Sequence, residues 1–329
     1  MTAVGFVGLG VMGAPMAEHV LRAGFDLHVT ARRRASADRL LAGGATWHDS
    51  ARAMAAHVDV VVLMVPDLPD VDAVLDGPEG LLAGVTRPVV VVVSSTVSPE
   101  GVRALDRRAR SATGGLVHVV DAPVSGGEEG AVAGTLSVMV GGPADDVAVV
   151  APVLAATGTA VHLGPLGAGQ VAKACNQMIV AATVLALGEA SVVAERAGLD
   201  VGAMLDLLGG GYAGSRLLEV KKHRFAAHDH SPSGPARFMV KDLRFAAEEA
   251  ARTGTATPQL DAVRGVFTDL TAAGLGDLDT SVVQEHVASL TRAGAPTAGT
   301  SATAPAPPEP AATTPARGTP APTTHEEPA

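Results

Sequence analysis

The chain has 329 residues, a formal net charge of −10 and 47% apolar residues, of which very few are aromatic. That length suits two ordinary domains of roughly 100–200 residues each. The acidic balance argues against a nucleic-acid partner, because phosphate binding needs clustered Lys and Arg, and no run reaches the roughly 18 unbroken apolar residues of a membrane span.

The apolar content is mostly Ala, Val and Leu, so the core must be filled by aliphatic layers, as in parallel sheets covered by helices. The N-terminus enters a strand pattern at once, with no basic segment leading a hydrophobic one, so no signal peptide is expected. The single cysteine, Cys175, leaves neither an internal disulfide nor a cysteine-based metal site. No metal is expected, and the cytoplasm is the expected compartment. Of the 24 basic side chains only four are lysines, at 173, 221, 222 and 241, so each lysine raises its own question.

Residues 1–164 alternate short apolar runs with amphipathic segments. The runs fall at 4–7, 27–30, 58–65, 89–93, 117–120, 136–140 and 160–163, several of them continuous valine blocks suited to strands buried on both faces. Segments such as 14–23 and 99–112 read as crossover helices, and Ser98-Pro99-Glu100 reads as a helix cap. This alternation predicts a doubly wound α/β, Rossmann-type dinucleotide-binding domain.

Residues 165–292 are predicted all-helical. Positions 170–196 contain one Gly and no Pro, and read as a single helix of about 40 Å ended by Gly198. It is nearly apolar for five turns, so it is buried on most sides. Helices follow at about 201–208, 214–227, 239–253 and 258–273. A mostly apolar helix of this length needs more cover than these supply, which predicts a homodimer or homotetramer. Residues 293–329, with nine prolines, are read as a disordered Ala/Pro/Thr-rich tail.

The first strand runs into Gly8-Leu9-Gly10-Val11-Met12-Gly13, and a helix follows. The first Gly permits the tight turn, the second lets the backbone approach a pyrophosphate, and the third lets helix and strand pack closely. The helix N-terminus adds free N–H groups and partial positive charge. Some twenty residues on, an NAD site normally carries Asp or Glu for the ribose 2′-OH. Here the chain reads Thr30-Ala31-Arg32-Arg33-Arg34. Three guanidiniums sit where a 2′-phosphate would fall, Arg32 best placed, so NADP(H) is favoured over NAD(H).

Ser125-Gly126-Gly127, after the strand at 117–120, offers a hydroxyl and unobstructed N–H groups to a carboxylate. It also suits a plain tight turn, and spacing alone does not separate the two. Ser95-Thr96 is open in the same way. Lys173 says more. Asn176 and Gln177 follow it at i+3 and i+4, so one helical face can present an ammonium and a carboxamide. Neighbouring Ala, Cys and Met are expected to desolvate the amine and lower its pKa. Such a lysine can take a hydroxyl proton while hydride leaves the carbon.

At this point four motifs in order, GLGVMGAPMA at 8–17, DAPVSGGEEGAVAGTLSVMVGG at 121–142, GAGQVAKACNQ at 167–177 and FMVKDLRFA at 238–246, resemble the β-hydroxyacid dehydrogenase family, the group of 3-hydroxyisobutyrate dehydrogenase and tartronate semialdehyde reductase. The likeness spans about residues 3–290. It implies a catalytic role for Lys173, a substrate-carboxylate loop at Ser125, Gly126 and Gly127, and a substrate ligand in Asn176. It also implies cofactor contacts at Thr96 and Lys241 near the nicotinamide end, and at Val65-Pro66. The expected activity is hydride transfer between NAD(P) and a small 3-hydroxy acid or its semialdehyde. The alternatives are an imine reductase of the same fold, which generally lacks this lysine, and a non-catalytic dinucleotide sensor. Two departures stand out: Ala31 replaces a frequent Asn, and residues 209–216 match no single member. Arg216 there suits either a second substrate carboxylate or an exposed helix surface.

Overall fold

Alternation of valine-rich and amphipathic stretches becomes a sheet with helices on both faces in the computed structural model, which describes residues 2–290. The expected tail at 293–329 lies outside the described residues. In chain order the first half runs β1 (Ala3–Val7), α1 (Gly13–Arg22), β2 (Asp26–Thr30), α2 (Asp38–Ala42), β3 (Thr46–Trp47), α3 (Ala51–Ala55), β4 (Val60–Leu63), α4 (Leu68–Leu75) and α5 (Leu81–Gly84). It continues through β5 (Val89–Val93), α6 (Pro99–Ala112), β6 (Val117–Asp121), β7 (Val124–Ser125), α7 (Gly127–Ala133), β8 (Leu136–Gly141), α8 (Ala144–Ala155) and β9 (Gly158–Gly164).

Six strands lie parallel in the order β3-β2-β1-β4-β5-β6. The order reverses between β1 and β4, and a doubly wound sheet binds ligands at the carboxyl ends of its strands beside such a switch point. Strand β5 is five consecutive valines, none more than 8% exposed, as a strand covered on both faces requires. One core cluster, with Phe6, Met16 and Leu136, fills one face of the sheet. A second, with Met54, Leu75 and Leu105, fills the other.

The far edge departs from the all-parallel expectation. Strand β8 pairs antiparallel with β6 and β7, and parallel with β9. Strands β3 and β7, of two residues each, escaped prediction because two residues cannot establish a period. Ser98 does cap α6, its Oγ accepting from Gly101 N at 2.9 Å.

The second half contains α9 (Ala168–Arg196), α10 (Val201–Leu208), α11 (Arg216–Ala227), α12 (Arg237–Thr253), α13 (Pro258–Leu270) and α14 (Val283–Ser289). Helix α9 is, among the described residues, long and apolar enough to cross a membrane, with a mean hydropathy of 1.7 over 18 residues. It serves instead as the spine of a third core cluster, packed by Leu218, Phe225, Leu243 and Phe267 of α11, α12 and α13. Gly188 admits α14 at close range, since a Cβ there would meet Val283 Cγ1 at 2.7 Å. The cover is incomplete: Ile179 and Val193, fourteen residues apart on α9, remain 69% and 67% exposed.

Candidate active site

The N-terminus of α9 is fastened to the carboxyl edge of the sheet by two buried side chains. Asp121, at the end of β6 and fully buried, accepts Gly167 N on Oδ1 and Gln170 N on Oδ2, both at 2.7 Å. It thus satisfies amides that a helix start leaves unpaired. Burial raises its pKa to about 6, against the pull of those amides. Gln170 donates from Nε2 to Ser95 O at 2.9 Å and accepts Val97 N at 3.1 Å, tying α9 to the loop after β5. Lys173 follows one turn later and therefore has a fixed place.

Lys173 is 9% exposed and makes no hydrogen bond or ion pair among the described residues. Burial lowers its pKa from 10.5 to about 8; Asp242 opposes the shift and Lys241 adds to it. The expectation that a cysteine neighbour desolvates it needs correction, because Cys175 is exposed on the opposite side of α9. The two charged groups that act on the amine, Asp242 and Lys241, both lie on α12.

Beside the lysine runs a continuous chain of polar contacts. Ser125 Oγ donates to Asn176 Oδ1 at 3.4 Å, and Asn176 Nδ2 donates to Gln177 Oε1 at 3.0 Å. Gln177 Nε2 donates to Asp242 Oδ2 at 2.7 Å. Lys241 Nζ donates to Asp242 Oδ1 at 2.9 Å and to the Thr96 carbonyl at 2.8 Å. The structure thus joins Ser125, Asn176, Lys241 and Thr96, drawn from four separate stretches of chain. Thr96 takes part through its backbone oxygen. Asp242, the central carboxylate of these contacts, lies within the motif at 238–246, as Asp121 and Gln170 lie within those at 121–142 and 167–177, and spacing alone gives none of the three a role. Their adjacency to strand ends and to Lys241 was the available signal.

Gly126 and Gly127 have φ of +139° and +66°, a backbone region that suits glycine. Both are exposed beside Ser125, so their amides lie open to a ligand.

The glycine loop lies at the switch point. Gly8 has φ +96°, and a Cβ there would meet Met64 O at 2.2 Å, so the loop packs against the chain leaving β4 just before Val65-Pro66. A Cβ on Gly13 would stand 1.8 Å from Gly8 O, which makes close helix–strand packing depend on its absence. A Cβ on Gly10 would meet nothing within 4 Å. Protein packing therefore gives no reason for a glycine at this position, whereas approach of a pyrophosphate does. Leu9 is buried, while Val11 is 63% exposed and Met12 half-buried. A cleft of about 430 Å³ beside the loop is lined by Gly10, Val11, Ser36 and Arg39, among others. The residues fit a dinucleotide.

Arg32 and Arg33 are exposed at the end of β2 and form no ion pair among the described residues, while the Arg34 guanidinium stacks 5.0 Å over the Trp47 ring. Arg216 instead pairs with Glu219 at 2.9 Å on the exposed surface of α11, the second of its two readings. Tyr212, in the neighbouring unmatched stretch, is fully exposed.

Residues 3–165 match the family model described as the NAD binding domain of 6-phosphogluconate dehydrogenase. Residues 167–287 match that described as NAD-binding of NADP-dependent 3-hydroxyisobutyrate dehydrogenase. An NAD-dependent L-serine dehydrogenase from Pseudomonas aeruginosa is 36% identical over 87% of this chain and 97% of its own. A 2-hydroxy-3-oxopropionate reductase from Escherichia coli is 37% identical over 85% of this chain and 95% of its own. The crystal structure of a 3-hydroxyisobutyrate dehydrogenase from Salmonella typhimurium superposes with a TM-score of 0.79 at 30% identity, covering 87% of this chain and 99% of that one.

Proposed function

The chain belongs to the β-hydroxyacid dehydrogenase family and is an NAD(P)-dependent hydroxyacid dehydrogenase, and we propose that its proton transfers run through Lys173. The substrate is a small 3-hydroxy acid or its semialdehyde. A bound nicotinamide would supply the acceptor or donor for the hydride of the carbinol carbon. In the oxidation direction the neutral Lys173 amine takes the hydroxyl proton as the carbonyl forms. In reduction the ammonium gives that proton back to the nascent alkoxide. The carboxylate is held by the Ser125 hydroxyl and the Gly126 and Gly127 amides, with Asn176 orienting the substrate beside the lysine. Asp242 holds Lys241 and Gln177 in place, and limits how far burial depresses the lysine.

The observation that carries this reading is a desolvated lysine with a pKa near 8, one helical turn from the Asn176–Ser125 contact. A general acid/base works best when its pKa lies near the operating pH.

Gly8, Leu9, Gly10, Val11, Met12 and Gly13 would hold the dinucleotide, with Val65, Pro66, Thr96 and Lys241 as its further contacts. NADP(H) is the preferred form, held at its 2′-phosphate by Arg32. In support, β2 ends without a carboxylate and Arg32 has no competing partner among the described residues. Replacing Arg32 by Ala should weaken NADPH binding by about tenfold or more, the value of one charge-assisted contact, and leave NADH nearly unchanged.

Residues 1–164 form the dinucleotide domain and 165–292 the substrate and assembly domain, a division supported by family models that end at 165 and begin at 167. The enzyme is a homodimer or homotetramer, for which the uncovered apolar side chains of α9 speak; a monomer by light scattering would refute this. One exposed free thiol suits the reducing cytoplasm.

The test titrates NADPH and NADH, then screens short 3-hydroxy acids and semialdehydes with Lys173→Ala alongside. Turnover should fall by about 10² or more in the variant while cofactor binding survives. Turnover that persists in the variant refutes the assignment.

A further inference from the structure

Away from the Lys173 site, the turn after α11 carries His228-Asp229-His230. His228 has φ +51°, and is the one non-glycine residue with positive φ among the described residues. It ends α11 as a left-handed C-cap residue, its N–H donating to Arg224 O. It sets Nδ1 2.8 Å from Glu285 Oε1 on α14, and Nε2 2.9 Å from Glu195 Oε1 near the end of α9. His230 is only 8% exposed. Its Nδ1 lies 2.9 Å from Ser281 Oγ. Its Nε2 has no hydrogen-bond partner, although it faces Glu285 Oε1 at 3.5 Å. Native proteins leave few buried polar atoms bare, and each such atom asks for an explanation.

The donor atoms of His228, His230 and Glu285 all lie within 4.8 Å of one another. Zn²⁺ bound tetrahedrally to nitrogen and carboxylate oxygen spaces its ligands about 3.4 Å apart. The 2.8 and 3.5 Å separations bracket that spacing. We propose that His228 Nδ1, His230 Nε2 and Glu285 Oε1 bind a divalent transition-metal ion of the zinc type, with water completing the coordination.

The groups behind these ligands suit that role. A metal-bound imidazole usually donates its other N–H to a carboxylate or another acceptor, which fixes ring and tautomer. Glu195 stands ready for His228, and is itself held by Gln284 Nε2 at 2.6 Å. Ser281 Oγ stands ready for the Nδ1–H of His230, which directs the Nε2 lone pair to the centre. Two imidazoles favour a zinc-type ion over Ca²⁺ or Mg²⁺, which prefer oxygen ligands. The ion would clip the α11–α12 turn to α14, across 57 residues of chain.

The test uses the full chain stripped with EDTA and titrated with ZnCl₂ against a chromophoric chelator, with Co²⁺ as a spectroscopic probe. One equivalent of Zn²⁺ should bind, and Co²⁺ should give ligand-field bands of a four-coordinate site. Glu285→Gln, at a half-exposed side chain, and His228→Asn, which tolerates positive φ, should each weaken binding by at least about tenfold, and Glu195→Gln by about 10–100-fold. The Co²⁺ bands should disappear in the first two variants. Absence of binding, or binding that both variants leave unchanged because the ion sits on other histidines, would overturn the proposal.

Discussion

Replacing Lys173 by Met should make the protein more stable and less active, and the gain should depend on pH. Met is unbranched, of similar length, and a good helix former. The lysine's pKa falls from 10.5 in its ordinary state to about 8 in the fold. Between those values the unfolded chain binds more protons than the folded one, so wild-type stability climbs as pH rises through the window. Below pH 8 the full cost of burying the ammonium is present; above 10.5 it is gone. A difference of about 2.5 pKa units corresponds to about 3 kcal/mol at pH 7, and the same linkage leaves about 1 kcal/mol at pH 10. Urea denaturation of the cofactor-free protein, followed by far-ultraviolet circular dichroism at equal protein concentrations, measures both values. Lys173→Met should gain about 3 kcal/mol at pH 7 and about 1 at pH 10, while turnover drops about 10²-fold or more. A variant less stable than wild type at pH 7, or a gain equal at both pH values, would refute a buried, depressed lysine.

The same pKa sets the direction of the rate profile: oxidation should rise with pH through about 8 as the amine becomes neutral, and reduction should fall. In Asp242→Asn the carboxylate that raises the lysine pKa is gone, so the midpoint of the kcat/KM profile should move below that of wild type. Gly10→Ala should leave folding within about 0.5 kcal/mol of wild type yet weaken NADPH binding by at least about tenfold, because only a ligand needs that space. Gly13→Ala, whose Cβ would strike Gly8 O, should instead destabilise the fold in thermal melts. Asp121→Asn offers one acceptor oxygen where two buried amides need partners, and should cost about 1–3 kcal/mol in urea denaturation.

Local pattern alone reached a good part of this protein. Short apolar runs placed seven strands, the valine blocks among them because a strand buried on both faces needs a continuous apolar run, although β9 at the edge is largely exposed. The absence of Pro from 170–196 and the Ser98-Pro99 cap placed two helices to within two residues. The glycine loop, the missing carboxylate after β2 and the lysine in an apolar helix were legible as parts of the candidate site. Short elements were out of reach: α2, α3, α5 and α7 span too few residues for a helical period, and Pro152 interrupts the pattern of α8. The antiparallel edge at β7 and β8 was equally hidden, since parallel and antiparallel strands share one side-chain alternation. Periodicity shows which residues face inward but not which partner they meet. Tertiary structure alone decided that Asp121 fastens α9, that Gln177 and Lys241 share Asp242, that Cys175 faces outward, and that His230 meets Glu285. Apart from the outward Cys175, these depend on groups tens of residues apart, brought together where burial leaves a polar atom no water to bind and makes its partner specific.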